Sequence, residues 1–258
     1  MRSIYKNIVF SILLVSALTF LECHQFKAPK NSAEFLSVES QNISLDSTIT
    51  EDSSLIKMIA PYQTELEARM NVIIGKSAVN LYKGRPEAPL NNFVTDLMRK
   101  RASKEMEQPV DIALTNIGGL RTTIPKGPIT LGKIYEVMPF ENELVVIEFT
   151  GEQVRNLAQE IGASGGEPLS GLQITFEQGQ LTDVTVDGKP IINEKKYTLV
   201  TTDYLSSPGR KRLSILGTVS RVFLGITLRQ AIIDEVKELN DLDQEISAQV
   251  ENRIIIKE

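Results

Sequence analysis

The sequence predicts a mixed α/β (α+β) domain, a mixed sheet with packed helices, on three observations. Apolar residues switch along the chain between helical spacing and short strand-like runs. Turn signals at Gly179 and at Asp187-Gly188 join neighbouring runs as hairpins, which favours α/β or α+β over either pure class. The 258 residues are 41% hydrophobic and 24% charged, ordinary globular composition with enough chain for one large domain or two small ones. No internal repeat is visible, and a net charge of −5 gives no basic footprint for nucleic acid.

The elements follow in order. Leu55, Met58, Ile59, Tyr62, Leu66 and Met70 recur at helical spacing behind Asp52 or Ser53 as cap, so 52–70 is a helix that Pro61 should kink or split. Residues 71–83 read as one or two strands, and Pro86 and Pro89 mark a turn. A helix over 91–104 should bury Phe93, Leu97 and Met98. A strand at 111–115 ends in glycines, and Pro125 to Pro128 is a turn. A short helix at 130–137, a strand at 143–149 and a helix at 151–161 lead to a flexible loop at 162–166. The hairpin 172–176/181–186, a strand at 197–203, a helix at 227–239 and a strand at 253–257 complete the domain.

The N-terminal residues have a different character. Arg2 and Lys6 precede an apolar stretch, Ile8 to Leu21, with the length of a signal peptide and too short to span a bilayer comfortably. Cys23, the only cysteine, follows it directly, as in a lipoprotein signal, although Glu22 stands where a small residue is usual. An ordinary secretory signal and an uncleaved anchor are the alternatives. The expected organisation is a lipoprotein-type signal at 1–22, lipidation at Cys23, a polar tether over 23–50 and one domain over 51–258, with its core from about residue 70. An exported, membrane-anchored chain on the periplasmic or outer-membrane side follows, and otherwise a periplasmic or secreted one.

Chemistry concentrates where the apolar run Ile112-Ala113-Leu114 meets Asn116-Ile117-Gly118-Gly119-Leu120-Arg121. Glycine permits φ > 0 or a close backbone approach, Asn offers donors and an acceptor, and Arg offers a fork that fits phosphate or carboxylate. The motif alone also reads as a plain glycine turn with a surface arginine. Reactive groups are scarce. His24 is the only histidine and lies in the tether, so a multi-histidine metal centre or a Ser-His-Asp arrangement has no residues to build it.

Several segments together resemble the C-terminal domain of the 5′-nucleotidase / UDP-sugar hydrolase family. They are Pro86 to Asp96, Asn116 to Arg121, Pro125 to Thr130, Tyr135 to Asn142 with its Met-Pro-Phe-Glu-Asn element at 138–142, Thr150 to Val154, and Glu251 to Ile254. The resemblance implies a substrate-binding domain separated from the metallophosphatase domain that performs the chemistry. It implies that Asn116, Gly118 and Gly119 lie against a nucleoside, that Arg121 holds phosphate or ribose oxygens, and that Phe140 stacks on the base. Arg85 stands near an arginine of the family. After Asp203, the family's Asn-Gly-Gly-Asp-Gly-aromatic segment is replaced by a sequence containing Gly209 and Arg210-Lys211-Arg212, which implies altered specificity or simply a solvated loop. No catalytic residue, metal ligand or cofactor is expected in this chain; divalent metals would belong to a separate metallophosphatase partner. The expected function is the substrate-binding part of a 5′-nucleotidase-type phosphohydrolase. The alternatives are a non-catalytic, lipid-tethered nucleotide- or phosphate-binding protein, or a structural surface lipoprotein.

Overall fold

The computed structural model describes residues 50–207 and 220–257. The signal and lipidation assignments, His24 and the tether up to residue 49, together with Gly209 and the basic run 210–212, lie outside the described residues. Contacts separate a unit Ser53–Glu258 from the residues before it.

Of the kink or split predicted at Pro61, the split does not occur: helix α1 (Ser53–Met70) runs through the proline as one element. Residues 53–69 are all exposed, so the Lys57 carbonyl that Pro61 cannot engage is open to water, which lowers the cost of proline. Leu55, Met58, Ile59, Tyr62 and Leu66 form an exposed apolar face on it. Strand β1 (Ile73–Ser77) follows. Helix α2 (Pro89–Glu105) starts on a proline in the first turn, where its missing N–H costs nothing, and buries Phe93, Leu97 and Met98 as its pattern predicts.

Strand β2 (Ile112–Leu114) leads into a 3₁₀ turn, Ile117–Gly119. The predicted turn at 125–128 is half strand: β3 (Gly127–Thr130) pairs antiparallel with β1, and Pro128 is tolerated in this two-stranded ribbon. Helix α3 (Leu131–Val137) is capped by Thr130, strand β4 (Glu143–Thr150) follows, and helix α4 (Gly151–Ala163) opens on a capping box of Thr150 and Gln153.

Strands β5 (Leu169–Ser170), β6 (Leu172–Glu177), β7 (Gln180–Val186), β8 (Lys189–Pro190) and β9 (Lys196–Thr202) come next. The predicted hairpin is β6–β7, with Gly179 at φ 81°. Helix α5 (Asp203–Ser206), strand β10 (Arg221–Thr227), helix α6 (Leu228–Asp241) and strand β11 (Ile254–Lys257) complete the unit.

The central sheet has the order β10-β4-β9-β2-β5, and a second sheet the order β11-β6-β7-β8. In the central sheet β2 and β9 run parallel and the other neighbours antiparallel. Strand periodicity sends its two faces into two cores. Ala113, Leu144, Val146 and Val200 pack with α2, α3 and α6, whereas Ile112, Leu114, Ile147, Phe149 and Leu199 pack with α4 and the second sheet.

Glu87, at the head of α2, holds the segment before β11. Its carboxylate accepts from the Glu251 and Arg253 backbone N–H groups, each at 2.8 Å, and from Asn92 Nδ2. Arg253 donates to Asp96, Glu251 and the Leu169 carbonyl. Burial alone would depress the pKa of this guanidinium, but Asp96 and then Glu251 outweigh burial and raise it.

Candidate functional site

The strand directions gather four loops at one end of the central sheet. The carboxyl ends of the parallel pair β2 and β9 lie there, β4 and β5 begin there, and β10 delivers the start of α6. In open parallel α/β sheets ligands bind outside the carboxyl ends of the strands, and the one parallel pair of this mixed sheet points its carboxyl ends at these loops. The loops are 115–121, 138–142, 164–168 and the turn into α5.

The first loop carries the Asn-x-Gly-Gly-x-Arg motif. Asn116 is extended and precedes the 3₁₀ turn, and its side chain makes no capping hydrogen bond to it. Neither Gly118 nor Gly119 has a positive φ, so left-handed backbone does not account for them. A Cβ on Gly118 would stand 3.4 Å from Asn116 Nδ2, and one on Gly119 the same distance from Asn116 Oδ1. These are ordinary contact distances, so a methyl group at either position would pack against the half-buried Asn116 amide without displacing it.

Two contacts anchor this loop from below. The Ile117 N–H donates to Glu167 Oε2 at 2.7 Å, and Glu167 is only 3% exposed. Thr115 N donates to the Pro168 carbonyl at 3.1 Å. Arg85 completes the anchor: its guanidinium donates to the carbonyls of Ser164 and Gly166 and to Glu167 Oε1. Arg85 thus touches the motif through Glu167 and is committed to fixing the 164–167 segment. The predicted flexible loop at 162–166 is thus partly the last turn of α4 and partly this pinned strap.

The second loop, 138–142, meets the first across Arg121. Its backbone N–H donates to the Val137 carbonyl at 2.8 Å, and Lys83 Nζ donates to the Leu120 carbonyl. The Arg121 guanidinium is exposed, donates to the Gly118 carbonyl at 3.3 Å, and lies 6.0 Å from the centre of the Phe140 ring. Phe140 is 41% exposed, so it is a surface wall and not a core residue. Asn142 Nδ2 donates to Asp203 Oδ1 at 3.1 Å, which brings the head of α5 beside this loop. Asn116, Gly118, Gly119, Arg121 and Phe140 therefore share one rim, with Arg85 one residue behind it.

Sequence reasoning missed Glu167 and Arg229. Arg229, in the first turn of α6, is 6% exposed. It donates to the carbonyls of Met138 and Phe140, pairs with Glu141, and covers the Tyr135 ring at 4.3 Å. One signal was present: a cation in the first turn opposes the helix dipole, so it needs a dedicated partner.

Two other features bear on chemistry. A cleft of about 400 Å³ lies between Asp96, Arg99, Ser170, Asp187, Glu251 and Arg253. Its charges are matched internally, Arg99 with Asp187 and Arg253 with Asp96 and Glu251. Among the described residues no group of three or more His, Cys, Asp or Glu is placed to hold a metal ion.

Comparison with known proteins agrees with this architecture. The chain is 28% identical over 238 residues to the endonuclease YhcR of Bacillus subtilis (strain 168), covering 89% of this chain and 18% of that protein. It is 24% identical over 211 residues to a 5′-nucleotidase of Vibrio vulnificus (strain CMCP6), covering 80% and 38%. The crystal structure of a 5′-nucleotidase precursor from Thermus thermophilus superposes with a TM-score of 0.67 at 29% identity, over 80% of this chain and 44% of that one. The chain thus spans less than half the length of these relatives. Residues 73–216, more than half of the chain and inclusive of all six predicted site residues in the domain, match the family described as 5′-nucleotidase, C-terminal domain. By its sequence, its fold and the loops at the rim of its sheet, the chain belongs to the 5′-nucleotidase C-terminal domain family.

Proposed function

We propose that this chain is the substrate-binding part of a 5′-nucleotidase-type phosphohydrolase and takes nucleotides at the rim formed by Asn116, Gly118, Gly119, Arg121 and Phe140. One observation carries the reading: an exposed arginine fork and an exposed aromatic ring stand side by side on loops pinned from behind. The fork suits phosphate or ribose oxygens and the ring suits a base. Arg85 serves the site by fixing Glu167.

In this reading the metals and the hydrolytic step belong to a separate metallophosphatase chain. Export by the segment 1–22 and lipid attachment at Cys23 would place both partners at one membrane surface, on the periplasmic or outer-membrane side.

Calorimetry with AMP, adenosine and ribose 5-phosphate tests the binding reading. AMP should bind more tightly than either fragment, and an absence of AMP binding sinks the proposal. Reconstitution tests the partnership. The chain alone, with divalent metal added, should not hydrolyse AMP, and adding the metallophosphatase chain should restore turnover. Hydrolysis by the chain alone overturns the split arrangement. Binding without turnover in the presence of the partner leaves a non-catalytic nucleotide-binding lipoprotein.

A further inference from the structure

We infer that Arg229 is a positioning residue that gives the site its selectivity for base-bearing ligands, by holding the Phe140 wall in place; this rests on the nucleotide-binding reading above. The observation is the way α6 fastens the 138–142 loop. Leu228 N donates to the Asn142 carbonyl at 2.8 Å. Arg229, the next residue, donates to the Met138 and Phe140 carbonyls at 3.4 and 3.3 Å and pairs with Glu141. Two consecutive residues thus tie down both ends of a five-residue turn whose only large exposed apolar group is Phe140.

The guanidinium suits this task. Its planar fork bonds several acceptors on one edge while its face covers Tyr135. Those acceptors are main-chain carbonyls on either side of Pro139, so the fork fixes the backbone from which the Phe140 ring projects. Arg229 is nearly buried and sits behind the wall, so it does not contact a ligand lying on the exposed ring. Its influence on binding therefore passes through Phe140 and spares groups that Arg121 holds. A ligand with a base should be sensitive to Arg229, and one with phosphate and ribose alone should not.

The test compares AMP with ribose 5-phosphate by calorimetry on the purified full chain, for Arg229→Met, Arg229→Lys, Phe140→Ala and the double variant Arg229→Met/Phe140→Ala. Arg229→Met should weaken AMP about tenfold and leave ribose 5-phosphate within about twofold, the size of one lost stacking contact. Arg229→Lys should show a smaller loss. The double variant should lose no more than Phe140→Ala alone, because both changes remove the same contact. Glu141→Gln, at a side chain 75% exposed, gives a variant that buries no new group and should shift AMP binding in the same direction. Equal losses for both ligands, or additive losses in the double variant, overturn the assignment and leave Arg229 a purely structural residue. A failure of the unaltered chain to bind AMP overturns the nucleotide reading itself and this inference with it. Binding of AMP that is indifferent to all the Arg229 variants overturns this inference alone.

Discussion

The guanidinium of Arg121 lies 6.0 Å from the centre of the Phe140 ring, although the two stand nineteen positions apart in the chain with a helix between them. The backbone bond from Arg121 N to the Val137 carbonyl makes the juncture. At this distance the mutual attraction is at the outer limit of a cation–π contact. Both groups remain exposed for a third party.

Arg121→Ala should weaken AMP binding tenfold or more, since a hydrogen bond to a charged group contributes about 1.5–3 kcal/mol. Arg121→Lys should recover little of this, because a point charge does not replace a planar fork. Titration calorimetry reads both values. Unchanged AMP affinity in Arg121→Ala removes Arg121 from the site.

Glu167→Ala should destabilise the domain by about 2–3 kcal/mol. It removes the carboxylate partner of Arg85, which keeps its bonds to the Ser164 and Gly166 carbonyls, and leaves the Ile117 N–H without its acceptor. Denaturant unfolding measures the loss, and faster amide exchange at Ile117 should accompany it. A neutral variant would mean that Glu167 does not anchor the motif loop.

Gly166→Ala should cost more than about 2 kcal/mol. Its φ is 97°, and an added Cβ would stand 2.5 Å from the Pro86 carbonyl oxygen, which is backbone and cannot swing away. Gly179→Ala is the control: its φ is also positive, but no atom lies within 4 Å of the added Cβ, so only the conformational penalty of about 1 kcal/mol remains. Thermal unfolding of the pair should separate the two effects.

Glu87→Gln should loosen the segment before β11 while leaving α2 in place. One carboxylate oxygen accepts from Arg253 N and the other from Glu251 N and Asn92, and an amide supplies only one acceptor atom. A loss of about 1–3 kcal/mol is expected, with exchange at Arg253 N rising first. Exchange that rises uniformly across the domain would contradict a local clamp.

Much of the fold was legible because it rests on local pattern. Phe93, Leu97 and Met98 recur at helical spacing and are buried as a set, and the β6–β7 hairpin follows from its glycine turn. Strand β10 was not legible: Val222 and Phe223 are exposed on an edge strand, so no buried face marks the segment. Strand β3 was hidden because Gly127-Pro128 carries a turn signature yet sits in a two-stranded ribbon. For the site, a strand ending in polar and flexible residues pointed to the rim. Glu167 and Arg229 were not found because their partners lie far off in sequence, 82 residues to Arg85 and 88 to Glu141. The Glu87 segment, noticed only as a family signature, proves to be a clamp on the residues before β11.

The pairing of Leu144 with Thr202 and of Ile112 with Leu199 acts as a ruler for the rim. Strands β2, β4 and β9 each run within a few residues of a rim loop. A slip of one rung in either ladder would move one loop past another by about 3.3 Å, which is enough to part Arg121 from Phe140. The tolerance of the rim is therefore inherited from main-chain ladders buried between two cores. Substitutions at Phe149 or Tyr197, paired at the far end of the β4–β9 ladder from the rim, should register as lost AMP affinity in calorimetry while the protein is still folded.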